Sequence, residues 1–130
     1  KANDAYSFTL LKAVLNDSSK NLFDGMIKIM PEAQKANALL QVHSLLLTEQ
    51  ASSNNIPGLE IEADDVKATH SATVAQLDED QLFYLESRGV SKQEAKHTIV
   101  KGFLESIIFK LPEEYNEPLS EVLLRKIEDA

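Results

Sequence analysis

The chain has 130 residues, 43% hydrophobic, 26% charged and 6% aromatic, which is ordinary globular usage: it predicts a packed core and excludes a disordered or collagen-like chain. Thirteen basic residues against twenty-one acidic ones leave a net charge of -8, so a non-specific binder of the phosphate backbone is excluded and nucleic acid is not an expected partner. Cysteine is absent, which removes disulfides, thiolate metal sites and cysteine nucleophiles, and the apolar runs, such as Leu45-Leu46-Leu47, are no longer than four residues, far short of the roughly 20 residues that span a bilayer.

The first residues, Lys1-Ala2-Asn3-Asp4, carry no initiator Met, no basic run and no apolar run, so no signal peptide is read and a trimmed chain or fragment is expected. Over residues 6–75 the apolar residues come in short groups, such as Met26 to Met30 and Leu45 to Leu47, recurring every 15 to 20 residues or so. That pattern predicts many short strands and is compatible with a β-solenoid, a sandwich or a meander. Asp24-Gly25 and Pro57-Gly58 read as turns. The alternation of Leu59, Ile61 and Ala63 with Glu60, Glu62 and Asp64 predicts a half-buried strand with three carboxylates on its outer face.

After Leu77 the period changes. Asp78 with Gln81 three residues on opens a short helix over residues 79–88, and Gly89 supplies its C′ position after the cationic Arg88. Ser91 and Glu94 form a capping box for a second helix, which Pro112 ends by about Lys110. Ala95, Ile99, Phe103 and Ile107 recur every four residues and are widened by Val100, Leu104 and Ile108, so one face of this helix is expected to be buried. Gly102 costs about 1 kcal/mol relative to Ala in a helix interior, for which a close backbone approach is the preferred explanation over simple tolerance. Pro118 at the first position, then Leu119, Val122, Leu123 and Ile127, predict a third helix that frays near Ala130. Residues 1–76 hold 6 basic and 9 acidic groups (net -3) and residues 77–130 hold 7 and 12 (net -5). The excess on the helices reads as a solvated face, with a docking surface for a basic partner as the sharper alternative.

No Gly-rich phosphate loop, G-x-S-x-G elbow or H-E-x-x-H pair is present, so an ordinary enzyme is not supported. His43, His70 and His97 lie at no metal-ligand spacing and would meet only through folding. Asp64 and Asp65 point to opposite faces if extended and form no acid/base pair; turn or strand-edge solvation is their expected role. In an extended segment over residues 65–75, Val66, Ala68, His70, Ala72 and Val74 share one face, with His70 its only polar member. A hydrogen-bonded core histidine is the ordinary account. The small neighbours Ala68 and Ala72 offer another, in which a second surface approaches an imidazole suited to proton exchange or metal ligation.

The run Ile56-Pro57-Gly58-Leu59-Glu60-Ile61-Glu62-Ala63-Asp64-Asp65-Val66-Lys67-Ala68-Thr69-His70-Ser71-Ala72-Thr73-Val74, followed by Leu77-Asp78-Glu79-Asp80-Gln81-Leu82-Phe83-Tyr84-Leu85-Glu86-Ser87-Arg88-Gly89, resembles the SufB/SufD family of iron–sulfur cluster assembly scaffolds. Phe23-Asp24-Gly25-Met26-Ile27-Lys28-Ile29 and Ser44-Leu45-Leu46-Leu47-Thr48 also look like family segments, so the likeness covers about residues 10–110. The resemblance implies a mainly β chain: the last coils of a right-handed parallel β-helix over residues 1–76, then a small helical domain over 77–130. It further implies a cytoplasmic scaffold without an ATPase site of its own. Such a scaffold binds a SufC-type ATPase through the helical domain and pairs with itself or a SufB/SufD-type subunit through the β-helix. His70 matches the family histidine of the C-S-H-G-A-T stretch, which implies a place beside a nascent cluster at the subunit interface. Ala68 stands where many members have Cys, Thr69 replaces Ser, Ser71 replaces Gly, and Ala75 stands where Gly is usual. Thiolates for a cluster would then come from elsewhere, and no tightly bound cofactor is expected, only a transient iron–sulfur cluster in the full complex. Phe83, Tyr84, Arg88, Phe103 and Ile107 fall in the region implied for ATPase binding, most of them expected to build the helical core. A structural adaptor with no metal chemistry is the alternative.

Overall fold

Period-two alternation governs the first 76 residues, and in the computed structural model, which describes residues 4–128 apart from the side chains of Leu124, Ile127 and Glu128, it takes the form of ten-residue strands. These are β1 (Tyr6–Leu15), β2 (Lys20–Ile29), β3 (Asn37–Leu46), β4 (Ser52–Ile61) and β5 (Lys67–Gln76). They form two open sheets, β1-β3-β5 and β2-β4, in which every pair is parallel. Tyr6 lies beside Asn37, Asn37 beside Lys67, and Lys20 beside Ser52, so each coil takes 30 to 32 residues and two strands. The irregular 15-to-20-residue spacing in the sequence is thus one strand plus one corner. A β-helix-like stack of parallel strands is the result, distinct from a sandwich or a meander, both of which are built from antiparallel neighbours.

β3 is the strand paired on both sides, and its inward row Ala38, Leu40, Val42, Ser44 and Leu46 is buried throughout. Fully burying a Leu or Val here contributes about 1.5–3 kcal/mol. One apolar cluster joins Ile29, Ala33, Ala36, Ala38 and Ala63 near one end of the strands, and Leu15, Leu46 and Ala51 form another near the other end. The corners turn on left-handed residues: Asp4 (φ 59°) and Lys35 (φ 60°) occupy equivalent places one coil apart, and Asp17 (φ 54°) turns the corner between β1 and β2. Gln34 ties successive corners together, donating to the Pro31 carbonyl at 2.7 Å and accepting from the Asp65 N–H at 3.0 Å.

Asp24-Gly25 and Pro57-Gly58, expected as turns, lie inside β2 and β4, where Gly25 pairs with Pro57. Two local reasons account for this. A Cβ on Gly25 would fall onto the Phe23 ring, so this glycine makes room for an aromatic lying along its own strand. The N–H groups of Ser52 in β4 and, just past the strand, Glu62 donate to the carbonyls of Ser19, just before β2, and Ile29 at its end, so alternation turns the nitrogen of Pro57 to the open edge, where no donor is needed. The alternation beginning at Leu59 stops early: β4 ends at Ile61, which is 45% exposed, and Asp64 and Asp65 sit in the bend before β5. Glu60 and Glu62 do share a side, where both accept from Lys28 Nζ, at 2.6 and 2.8 Å. The two carboxylates hold the Lys28 ammonium above its usual range, and Lys28 lowers Glu60 in turn. At such exposed positions solvent screens the charges, so the trio marks register more than it adds stability.

Inside the stack is a polar cluster. Ser44, 2% exposed, lies 2.8 Å from Ser53 Oγ and accepts from Asn55 Nδ2 at 3.1 Å. Ser53 donates to Asn55 Oδ1 at 3.2 Å, and Asn21 Nδ2 donates to Ser53 Oγ at 2.9 Å and to Asn55 Oδ1 at 3.3 Å. The group links β2, β3 and β4 across both sheets. Asn55→Ala removes a partner from Ser44, Ser53 and Asn21 together, and is expected to cost about 1–3 kcal/mol in a urea unfolding titration.

Residues 77–130 form a second compact unit. It contains α1 (Glu79–Ser87), α2 (Lys92–Ile108), a short 3-10 turn (Glu113–Tyr115) and α3 (Asn116–Glu128). The Asp78 side chain caps α1 by accepting from the N–H groups of Asp80 and Gln81, and Gly89 at φ 89° follows its end. Ser91 and Glu94 make the reciprocal capping box on α2. Hydrogen bonds from the Ser91 hydroxyl and N–H lower the Glu94 carboxyl below its usual range. α3 begins two residues before Pro118, after the 3-10 turn, so Pro118 falls within its first turn. The Ile127 side chain and Ala130, named in the expected third helix, lie outside the described residues. Leu82 is buried on α1, and Ala95, Val100 and Ile108 are buried on α2, which confirms one apolar face on the second helix. Gly102 is a correction: it is exposed, with nothing within 4 Å of where its Cβ would stand, so no close approach explains it. Gly102→Ala should therefore stabilise the helical unit by about 1 kcal/mol, read as a higher midpoint in chemical unfolding monitored by circular dichroism; a lower midpoint would show a contact there.

Candidate functional site

His70 is placed by β5, whose backbone pairs it with Leu40 on β3 and, one strand further, in line with Thr9 on β1. Leu40 is 3% exposed, and on β5 the same row reads Ala68, His70, Ala72 and Val74, as the alternation predicted. The core-histidine account fails, however. His70 is exposed, Ala72 is exposed and Val74 is 47% exposed, because β5 is an edge strand and β4 belongs to a sheet of only two strands. An accessible imidazole thus stands on the row that the coil otherwise uses for its core, between alanines that leave space for an approaching surface. Ala68 packs on the Ile29–Ala38 cluster and anchors the start of the row.

His43 faces the other way. It aligns with Thr73, and its Nδ1 lies 2.7 Å from Thr73 Oγ1 on the outer face of the three-stranded sheet. His97 belongs to α2 in the second unit. Among the described residues no group of three or more His, Cys, Asp or Glu is arranged to hold a metal ion. His70 by itself offers one nitrogen ligand.

The helical candidates divide between two surfaces. Phe83 and Tyr84 are 73% and 57% exposed on α1, and the Arg88 guanidinium lies 5.2 Å from the centre of the Tyr84 ring. Most of the five candidates were expected in the core; on α1 Leu82 fills that role instead at 1% exposure, and the neighbouring aromatics point to solvent. Tyr84 borders a cavity of about 420 Å³ with Asp80, Gln81, Leu85 and Ile99. Phe103 and Ile107 are partly buried on α2, and Ile107 lines a groove of about 300 Å³ between α2 and α3 with Leu104, Leu111, Leu119 and Val122. The groove is apolar apart from Lys126 at its border. Leu104, Leu119 and Val122 were legible as helix stripes, but their apolar face is open in this unit. The buried polar group around Ser44 went unread, because Asn21 and Ser53 come together only once the 32-residue coil is known.

The described residues thus combine parallel β coils, an accessible histidine on the edge strand β5 and a helical unit with exposed aromatics on α1. The model of the SUF system FeS cluster assembly, SufBD core domain, matches residues 1–103, and the chain belongs to the SufBD family of iron–sulfur cluster assembly proteins. It is 40% identical over 128 residues to the iron–sulfur cluster assembly protein SufD of Bacillus subtilis, covering 98% of this chain and 29% of that protein. To SufD of Escherichia coli it is 36% identical over 105 residues, 81% of this chain and 25% of that protein. It is 39% identical to the chloroplastic protein ABCI7 of Arabidopsis thaliana over 99 residues, 76% of this chain and 21% of that protein. The chain therefore spans less than a third of the length of these relatives. Among the described residues no helix is long and apolar enough to cross a membrane.

The exposure contrast on α1 gives a direct test of which residues fold the unit. Leu82→Ala should cost about 2–5 kcal/mol in urea unfolding, whereas Phe83→Ala and Tyr84→Ala should each stay within about 0.5 kcal/mol of the unsubstituted chain.

Proposed function

We propose that this chain acts as a scaffold in the Suf iron–sulfur cluster assembly machinery of the cytoplasm and has no enzymatic step of its own. In this reading β1 to β5 are coils of a right-handed parallel β-helix, and the helical unit docks a SufC-type ATPase. The β-helix pairs with a second copy or with a SufB/SufD-type subunit. The observation that carries it is His70, at the family's motif position, exposed on a row of small side chains at an edge strand. An unpaired strand edge is a template for pairing unless it is capped, and a partner on this edge would meet the imidazole. The nascent cluster is cargo in this scheme, not a resident cofactor. This chain would contribute the His70 nitrogen, and thiolates would come from the partner or from the N-terminal portion of a longer protein, since clusters are normally held by Cys and Ala68 stands where many members have Cys.

The ATPase assignment is supported by exposed Phe83 and Tyr84 and by the open apolar groove beside Ile107, in a segment with net charge -5. A second reading, a structural adaptor with no part in cluster chemistry, is favoured by the absence of cysteine from the sequence.

One experiment tests the docking surface and a second separates the two readings. Calorimetric titration with a SufC-type ATPase should give micromolar or tighter binding, and the double substitution Phe83→Ala, Tyr84→Ala should weaken it about tenfold or more, about 1.4 kcal/mol. Unchanged affinity would show that α1 is not the docking surface. His70→Ala should leave ATPase affinity as it was and reduce cluster formation in a reconstituted assembly reaction; full cluster formation by this variant would leave only the adaptor.

A further inference from the structure

We draw no further inference here: the strongest candidate, the exposed apolar patch that Leu22, Met26 and Ile56 make on the outer face of the β2-β4 sheet, carries nothing because nothing in the structure shows what covers it.

Discussion

Parallel register between β3 and its two neighbours is the constraint on which the other features depend. Side chains alternate with period two, so a slip of one residue in the pairing of β5 with β3 would send Ala68, His70, Ala72 and Val74 to the outer face. Ala68 resists that slip, because it packs on the Ile29–Ala38 cluster and would have to give its place to Lys67 or Thr69. The outer bond between His43 and Thr73 favours the same alignment, and the Lys28 clamp on Glu60 and Glu62 ties β2 to β4 in the other sheet. The position of His70 is therefore set by packing many residues away.

The polar cluster around Ser44 serves the same constraint differently. Apolar contacts are non-directional, and Leu, Val and Ala rows tolerate small slides. Hydrogen bonds among Asn21, Ser44, Ser53 and Asn55 form in one register only, and leaving them unmade in the interior is costly. A group of modest net stabilising value thus fixes how the two sheets face one another.

Much of this was legible in the sequence where local physics decides. The caps at Asp78 and Ser91, the end of α2 ahead of Pro112 and the shared face of Ala68, His70 and Ala72 follow from short-range rules and hold in the structure. The failures have a common cause in pairings distant along the chain. Gly25 and Pro57 carry turn chemistry, yet they face each other across a strand pair, and the open edge of β4 removes the usual penalty for proline. The apolar neighbours of His70 allow either a core histidine or one open to a second surface, and which of the two holds depends on how many strands the opposite sheet contains. Phe83 and Tyr84 looked like core aromatics, but a nine-residue helix has one buried stripe and Leu82 occupies it.

Residue-resolved amide hydrogen exchange tests the register most directly. Lys67 N–H donates to the Ala36 carbonyl, so the amides of Thr69, Ser71, Thr73 and Ala75 should also point to β3 and exchange slowly. Those of Ala68, His70, Ala72 and Val74 face the open edge and should exchange fast in the isolated chain. Alternating protection along β5 with this phase is the predicted result. Uniform exchange along the strand, or alternation of the opposite phase, would contradict the pairing that puts His70 on the open inner row.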